Sequence, residues 1–100
     1  MHAVVGVWTV DESQLDERDR ALREEVVPLT QDQPGFVCGY WMHDPETGRG
    51  HTTIIFDSRE SAGRFKALVE SRAQKAAQVG VTGDTLATVQ VLAEAFGGTK

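Results

Sequence analysis

His2-Ala3-Val4-Val5-Gly6-Val7-Trp8-Thr9-Val10 is rich in apolar and β-branched side chains at odd and even positions alike. Alternate residues of a strand point to opposite faces, so this segment reads as a strand that needs cover on both sides. That requirement constrains the fold more than any other feature, because it asks for a second layer on each face of whatever sheet forms here. The rest of the chain must supply that cover or leave it to a partner.

Asp11 to Ser13 offer N-cap acceptors, and Leu15, Leu22, Val26 and Leu29 follow at seven-, four- and three-residue steps, a narrow apolar helical stripe. Asp16, Glu17, Arg20, Arg23 and Glu24 form its solvated side. Pro28 lacks an amide hydrogen and crowds the preceding turn, so it is expected to distort or end this helix, with Thr30 to Gly35 as loop. Phe36 to His43 reads as a second strand. Asp44 to Gly50 is a polar turn with two glycines, and His51 to Phe56 is a third strand, which makes the pair a hairpin. Asp57 and Glu60 have capping-box spacing. Ala62, Phe65, Leu68, Val69, Ala73, Ala76 and Val79 build the apolar side of a second helix, whose exposed Glu60 and Glu70 are solvating groups. Gly80 and Gly83 mark its end, and Leu86 to Ala93 reads as a fourth, edge strand.

The order is β-α-β-β-α-β. With right-handed crossovers it folds most simply as an α+β ferredoxin-like domain over residues 1–100, a four-stranded antiparallel sheet with both helices on one face. Two helices cover one face only, so the other would expose a large apolar patch. The expected remedy is a homodimer that packs sheet face against sheet face. Hydrophobic residues at 40% and charged residues at 25% suit a globular chain, not a disordered one. No apolar run approaches the roughly 20 residues of a spanning helix, and the N-terminus lacks signal-peptide features; a cytoplasmic location and no membrane partner are expected. The net charge of -5 and the scattered basic residues speak against nucleic acid. Cys38 is the single cysteine, so it forms no intrachain disulfide and is read as a small buried hydrophobe.

The strand and helix ending near Val26-Val27-Pro28, then Pro34-Gly35-Phe36 leading to Gly39-Tyr40-Trp41, and later Phe56-Asp57-Ser58-Arg59-Glu60-Ser61-Ala62, resemble the antibiotic biosynthesis monooxygenase superfamily of dimeric α/β-barrel proteins. The likeness spans roughly residues 2 to 95. It implies a dimer and allows three kinds of activity: cofactor-independent oxygenation of polyketide-like phenols and quinols, haem degradation, or none known. The haem-degrading branch uses an Asn on the first strand, a Trp on the third and a His on the second helix. This chain has no Asn, no Trp between His51 and Phe56, and no His between Asp57 and Val79, so haem degradation is not implied. The phenol-oxidising branch uses Asn, Trp and Tyr around an apolar cavity, and only the latter two types occur here. No cofactor is implied.

Pairing His43 with His51 in the hairpin would set Trp41 opposite Thr53 and Gly39 opposite Ile55, with Tyr40 on the other side facing Ile54. Ala3, Val5 and Val7 are assigned to the helices. Gly6, Trp8, Gly39, Trp41, Thr53 and Ile55 would then face into the barrel, where glycines beside rings leave a gap for a small apolar or aromatic ligand. The same rings also suit plain dimer-core packing. His43, His51 and Tyr40 are the candidate proton-transfer groups at the pocket mouth. Two histidines without a third ligand at suitable spacing make no metal site. Three functions remain open: a cofactor-independent oxygenase, a ligand-binding module without turnover, and a structural or regulatory dimer with a filled barrel.

Overall fold

A computed structural model describes residues 1–98. Strand β1 (His2–Val10) lies inside a four-stranded sheet of order β2-β3-β1-β4, with β2 (Phe36–His43) and β4 (Val81–Gln90) at the edges and β3 (Arg49–Phe56) beside β1. Every neighbouring pair is antiparallel, and the helices lie against one face, as the ferredoxin-like reading expects. β4 starts and ends earlier than its hydrophobic pattern implies. Gly80, at φ +79, turns the chain directly into Val81, and the pairing with β1 runs to His2 with Gln90. One more bond, from the Val91 amide to the Met1 carbonyl at 3.0 Å, closes the ladder.

The first helical arm runs from Glu12 to Gln31 in four pieces: a 3-10 turn (Glu12–Gln14), α1 (Leu15–Ala21), a π-helical turn (Leu22–Val26) and α2 (Val27–Gln31). Asp11 caps it, accepting from the amide and hydroxyl of Ser13 and from the Gln14 side chain; these bonds hold its carboxyl below the usual range. Pro28 distorts the helix without ending it, the first of the two expected outcomes. The Val27 amide reaches back five residues to the Leu22 carbonyl, and this wide turn makes Pro28 the opening of a new helical segment, where its missing N–H is tolerated.

The second crossover carries α3 (Arg59–Ser71) and α4 (Ala73–Gln78). Its cap is Ser58 rather than Asp57: the Ser58 hydroxyl accepts from the Ser61 amide at 3.1 Å. The helix breaks at Arg72, which sits at φ -105, instead of running unbroken to Val79. Val4, Ile54, Phe56, Ala62 and Phe65 form the buried core. Phe56 is its centre, edge-on to Phe36 at 6.1 Å and tilted against Phe65 at 5.1 Å.

That core reverses the expected assignment of faces. Val4, Gly6, Trp8 and Val10 share the helix-covered face of β1, whereas Ala3, Val5 and Val7 lie on the open one. In the hairpin, His43 pairs with Gly50, not His51, a slip of one residue. The register also shifts between Phe36 and Cys38, so that Val37 is an extra, bulged residue. The bulge lets Phe36 and Trp41, which differ in parity, both turn toward the helices. Cys38, expected to be buried, is exposed on the open side of the edge strand.

Candidate functional site

The helix layer is divided. The arm from Glu12 to Gln31 and the α3–α4 segment both stand over the sheet with little contact between them, and a cleft of ≈ 510 Å³ opens between layer and sheet. Val4, Trp8, Trp41, Thr52 and Ile54 form its floor. Leu22, Val26 and Leu29 roof one side, and Phe65, Leu68 and Val69 the other. The narrow stripe read from the sequence therefore faces a space rather than a packed core.

The two indoles owe their placement to glycines. A Cβ at Gly6 would lie 2.8 Å from Trp8 Nε1, and one at Gly83 would lie 3.2 Å from Trp8 Cζ3, so the ring rests on bare backbone. Trp8 Nε1 donates to Thr52 Oγ1 at 3.2 Å, which satisfies the indole and fixes its rotamer. Gly39 serves Trp41 and Ile54 likewise: a Cβ there would approach Ile54 Cδ1 at 2.9 Å and the Trp41 ring at 3.4 Å. The gaps expected beside the glycines are thus filled by rings of the same chain, and the open volume lies above those rings.

The sequence-predicted residues divide between two faces. Trp8, Trp41 and His43 border the cleft, and Gly39 lies under Trp41 without lining it. Tyr40, His51, Thr53 and Ile55 lie on the opposite, open face, where Tyr40 is 62% exposed. Thr53 and Ile55 cannot join Trp8 and Trp41, because the one-residue slip puts Thr52 opposite Trp41 and Ile54 opposite Gly39 instead. His43 and His51 have opposite parity in the hairpin, His43 pairing with Gly50 and Met42 with His51. Both histidines nonetheless border a shallow hollow of ≈ 550 Å³ on the open face, with Thr53, Val5, Val7, Met42 and Thr85, so His43 lies at the rim of both spaces.

Arg18 is a polar residue of the cleft that the sequence pattern did not single out. Its side chain is only 13% exposed. Nε donates to Asp19 Oδ1 at 2.8 Å, and Nη1 lies 3.2 Å from His43 Nδ1. A guanidinium can only donate, so Nδ1 of His43 accepts and the neutral imidazole carries its proton on Nε2. The signal was present: Arg18 stands three residues after Leu15 and four before Leu22, filling the missing step of the apolar stripe. At the opposite end Lys75 reaches Glu25 at 3.4 Å across the two helical segments, with Arg72 beside them. The hairpin turn next to His43 is tied by Asp44, which accepts from the Glu46 amide and the Thr47 hydroxyl; these bonds draw its carboxyl below the usual range. Among the described residues no helix is long and apolar enough to cross a membrane.

No protein-family model matches the sequence, and no curated protein matches it either. Solved structures do. HapK from Hahella chejuensis superposes with a TM-score of 0.73 at 12% identity, covering 99% of this chain and 100% of that one. A candidate antibiotic biosynthesis monooxygenase from Deinococcus radiodurans gives 0.72 at 15% identity, with 100% of both chains covered. A MhuD variant holding two manganese protoporphyrin IX molecules per active site gives 0.75 at 15% identity, over 97% of this chain and 100% of that one. The chain shares the ferredoxin-like α+β fold of these proteins. At these identities the likeness is one of fold, and function must come from the site itself.

Proposed function

We propose that this chain binds a small, flat, apolar or aromatic molecule in the cleft between sheet and helices and acts on it as a cofactor-independent monooxygenase. The observation that carries the reading is an open cleft floored by both tryptophans of the chain and roofed by aliphatic side chains. The apolar floor and roof suit a flat ring and dioxygen. Without a cofactor the substrate supplies the electrons. At a ring methylene, one oxygen atom enters as a carbonyl while the two displaced hydrogens leave with the other as water. Trp8 and Trp41 would orient the ring.

One observation favours binding without turnover as the second reading. Of His43, His51 and Tyr40, only His43 borders the cleft, and its Nδ1 already accepts from Arg18. The same engagement makes His43 a poor iron ligand, so haem is poorly suited to this cleft.

Both tryptophans lie in the cleft, so indole emission reports on this site alone. Titration with phenols, quinols and haem is expected to give saturable quenching with a phenol or quinol. Oxygen uptake with a bound ligand distinguishes the monooxygenase from the binding module. Absence of saturable quenching across the panel would remove the cleft as a ligand site.

The open face belongs to the same proposal. Val5, Val7, Tyr40, Met42, Ile55 and Val89 place apolar surface there with nothing of the described chain over it. We assign this face to a second copy of the chain, packed sheet to sheet.

A further inference from the structure

Arg18 breaks the apolar stripe of its helix, yet it stays turned inward. Its side chain is 13% exposed and lines one end of a cleft whose other walls are mostly aliphatic or aromatic. Burying a guanidinium is costly unless its donors are met by acceptors. Asp19, itself 42% exposed, takes only Nε; His43 takes Nη1; and Nη2 has no partner among the described residues. Because His43 Nδ1 accepts from Arg18, the imidazole has an Nε2–H to offer, and His43 itself borders this cleft. A fixed cation and a second N–H donor thus meet where the apolar floor ends.

We infer that Arg18 and His43 form an oxyanion subsite, and that the ligand is an aromatic compound bearing an ionised carboxylate or phenolate. The ring lies on Trp8 and Trp41, and the anionic oxygen meets the free guanidinium donors, with His43 N–H as the second contact. This inference rests on the cleft being the ligand site. In it Arg18 is a specificity-determining residue: it decides which apolar rings are held, and in which orientation.

Indole-emission titrations with naphthoate, naphthol and naphthylmethanol test it, since these share one ring system and differ in the charge of one oxygen group. Naphthoate is expected to bind the wild-type chain at least ~10-fold more tightly than neutral naphthylmethanol, as a charge-assisted bond in a desolvated site should allow. Naphthol should gain affinity as pH rises through its own ionisation if phenolate is also accepted; a flat response would restrict the subsite to carboxylate. Arg18→Gln should bring naphthoate to within about 2-fold of naphthylmethanol and leave naphthylmethanol unchanged, because only the charged contact is removed. Arg18→Lys, which keeps the charge without the fork, should retain part of the preference. Equal wild-type affinity for naphthoate and naphthylmethanol would overturn the oxyanion subsite and leave the cleft intact. Equal weakening of both ligands in Arg18→Gln would reduce Arg18 to a structural role. Failure of all three probes to bind would remove the cleft reading together with this one.

Discussion

Trp8 shows how much one residue can depend on what its neighbours lack. The indole lies on the sheet because Gly6 and Gly83 have no side chains, and Thr52 fixes it by accepting its N–H. Gly6→Ala would place a Cβ within 2.8 Å of Nε1 and 2.9 Å of Thr52 Oγ1, which forces the ring off its bed and breaks that hydrogen bond. The expected cost is ~1–3 kcal/mol, the usual range for overpacking. Urea unfolding followed by circular dichroism measures it, and a red-shifted emission should accompany the loss as the indole meets water. Unchanged stability would mean that the floor of the cleft is softer than the glycine contacts imply. The glycines stand out in the sequence beside their rings. That they hold the rings of this chain, and not a ligand, depends on side-chain orientation, which no local pattern records.

The helical elements position the cleft by staying apart. A π turn lets the first arm continue past Pro28, so Leu29 and Thr30 still reach the sheet side; Thr30 is buried, with its hydroxyl on the Val26 carbonyl at 2.8 Å. The opposite arm depends on its cap. Ser58→Ala should destabilise the protein by ~1 kcal/mol, because the Ser61 amide loses its acceptor at the start of α3. Asp57→Ala should cost less than Ser58→Ala, since Asp57 is not the cap; chemical denaturation of both variants decides between them. Helix existence, apolar stripes and the hairpin were legible as periodicity and turn chemistry. Cap position, the break at Arg72 and the continuation past Pro28 were not, because each is settled by one or two backbone bonds within a single turn.

At the scale of the whole molecule, one sheet face is roofed by helices and the other is bare. Met42, 48% exposed on the open face of edge strand β2, is a suitable place to test its partner. Wild-type protein at micromolar concentration should scatter light with twice the 10.9 kDa mass of the chain, and Met42→Glu should return the monomer mass with an unchanged circular dichroism spectrum. A wild-type monomer would show that the bare face is tolerated in water. The same experiment bears on Leu92 and Phe96, which are 89% and 86% exposed beyond the end of β4 and make no core of their own.

The order of strands and helices, and the apolar character of both faces of the first strand, follow from the sequence by itself, because hydrophobic periodicity and turn residues are local properties. Which face the helices would take does not follow. A strand has a period of two, so a one-residue slip or a single bulge at Val37 exchanges every side chain between the faces, and both readings satisfy the same alternation. Only the packing of Phe56, Ile54 and Val4 against α3 chooses between them. That choice puts Trp8, Trp41 and Arg18 around one cleft and leaves Tyr40, His51, Thr53 and Ile55 for the opposite face.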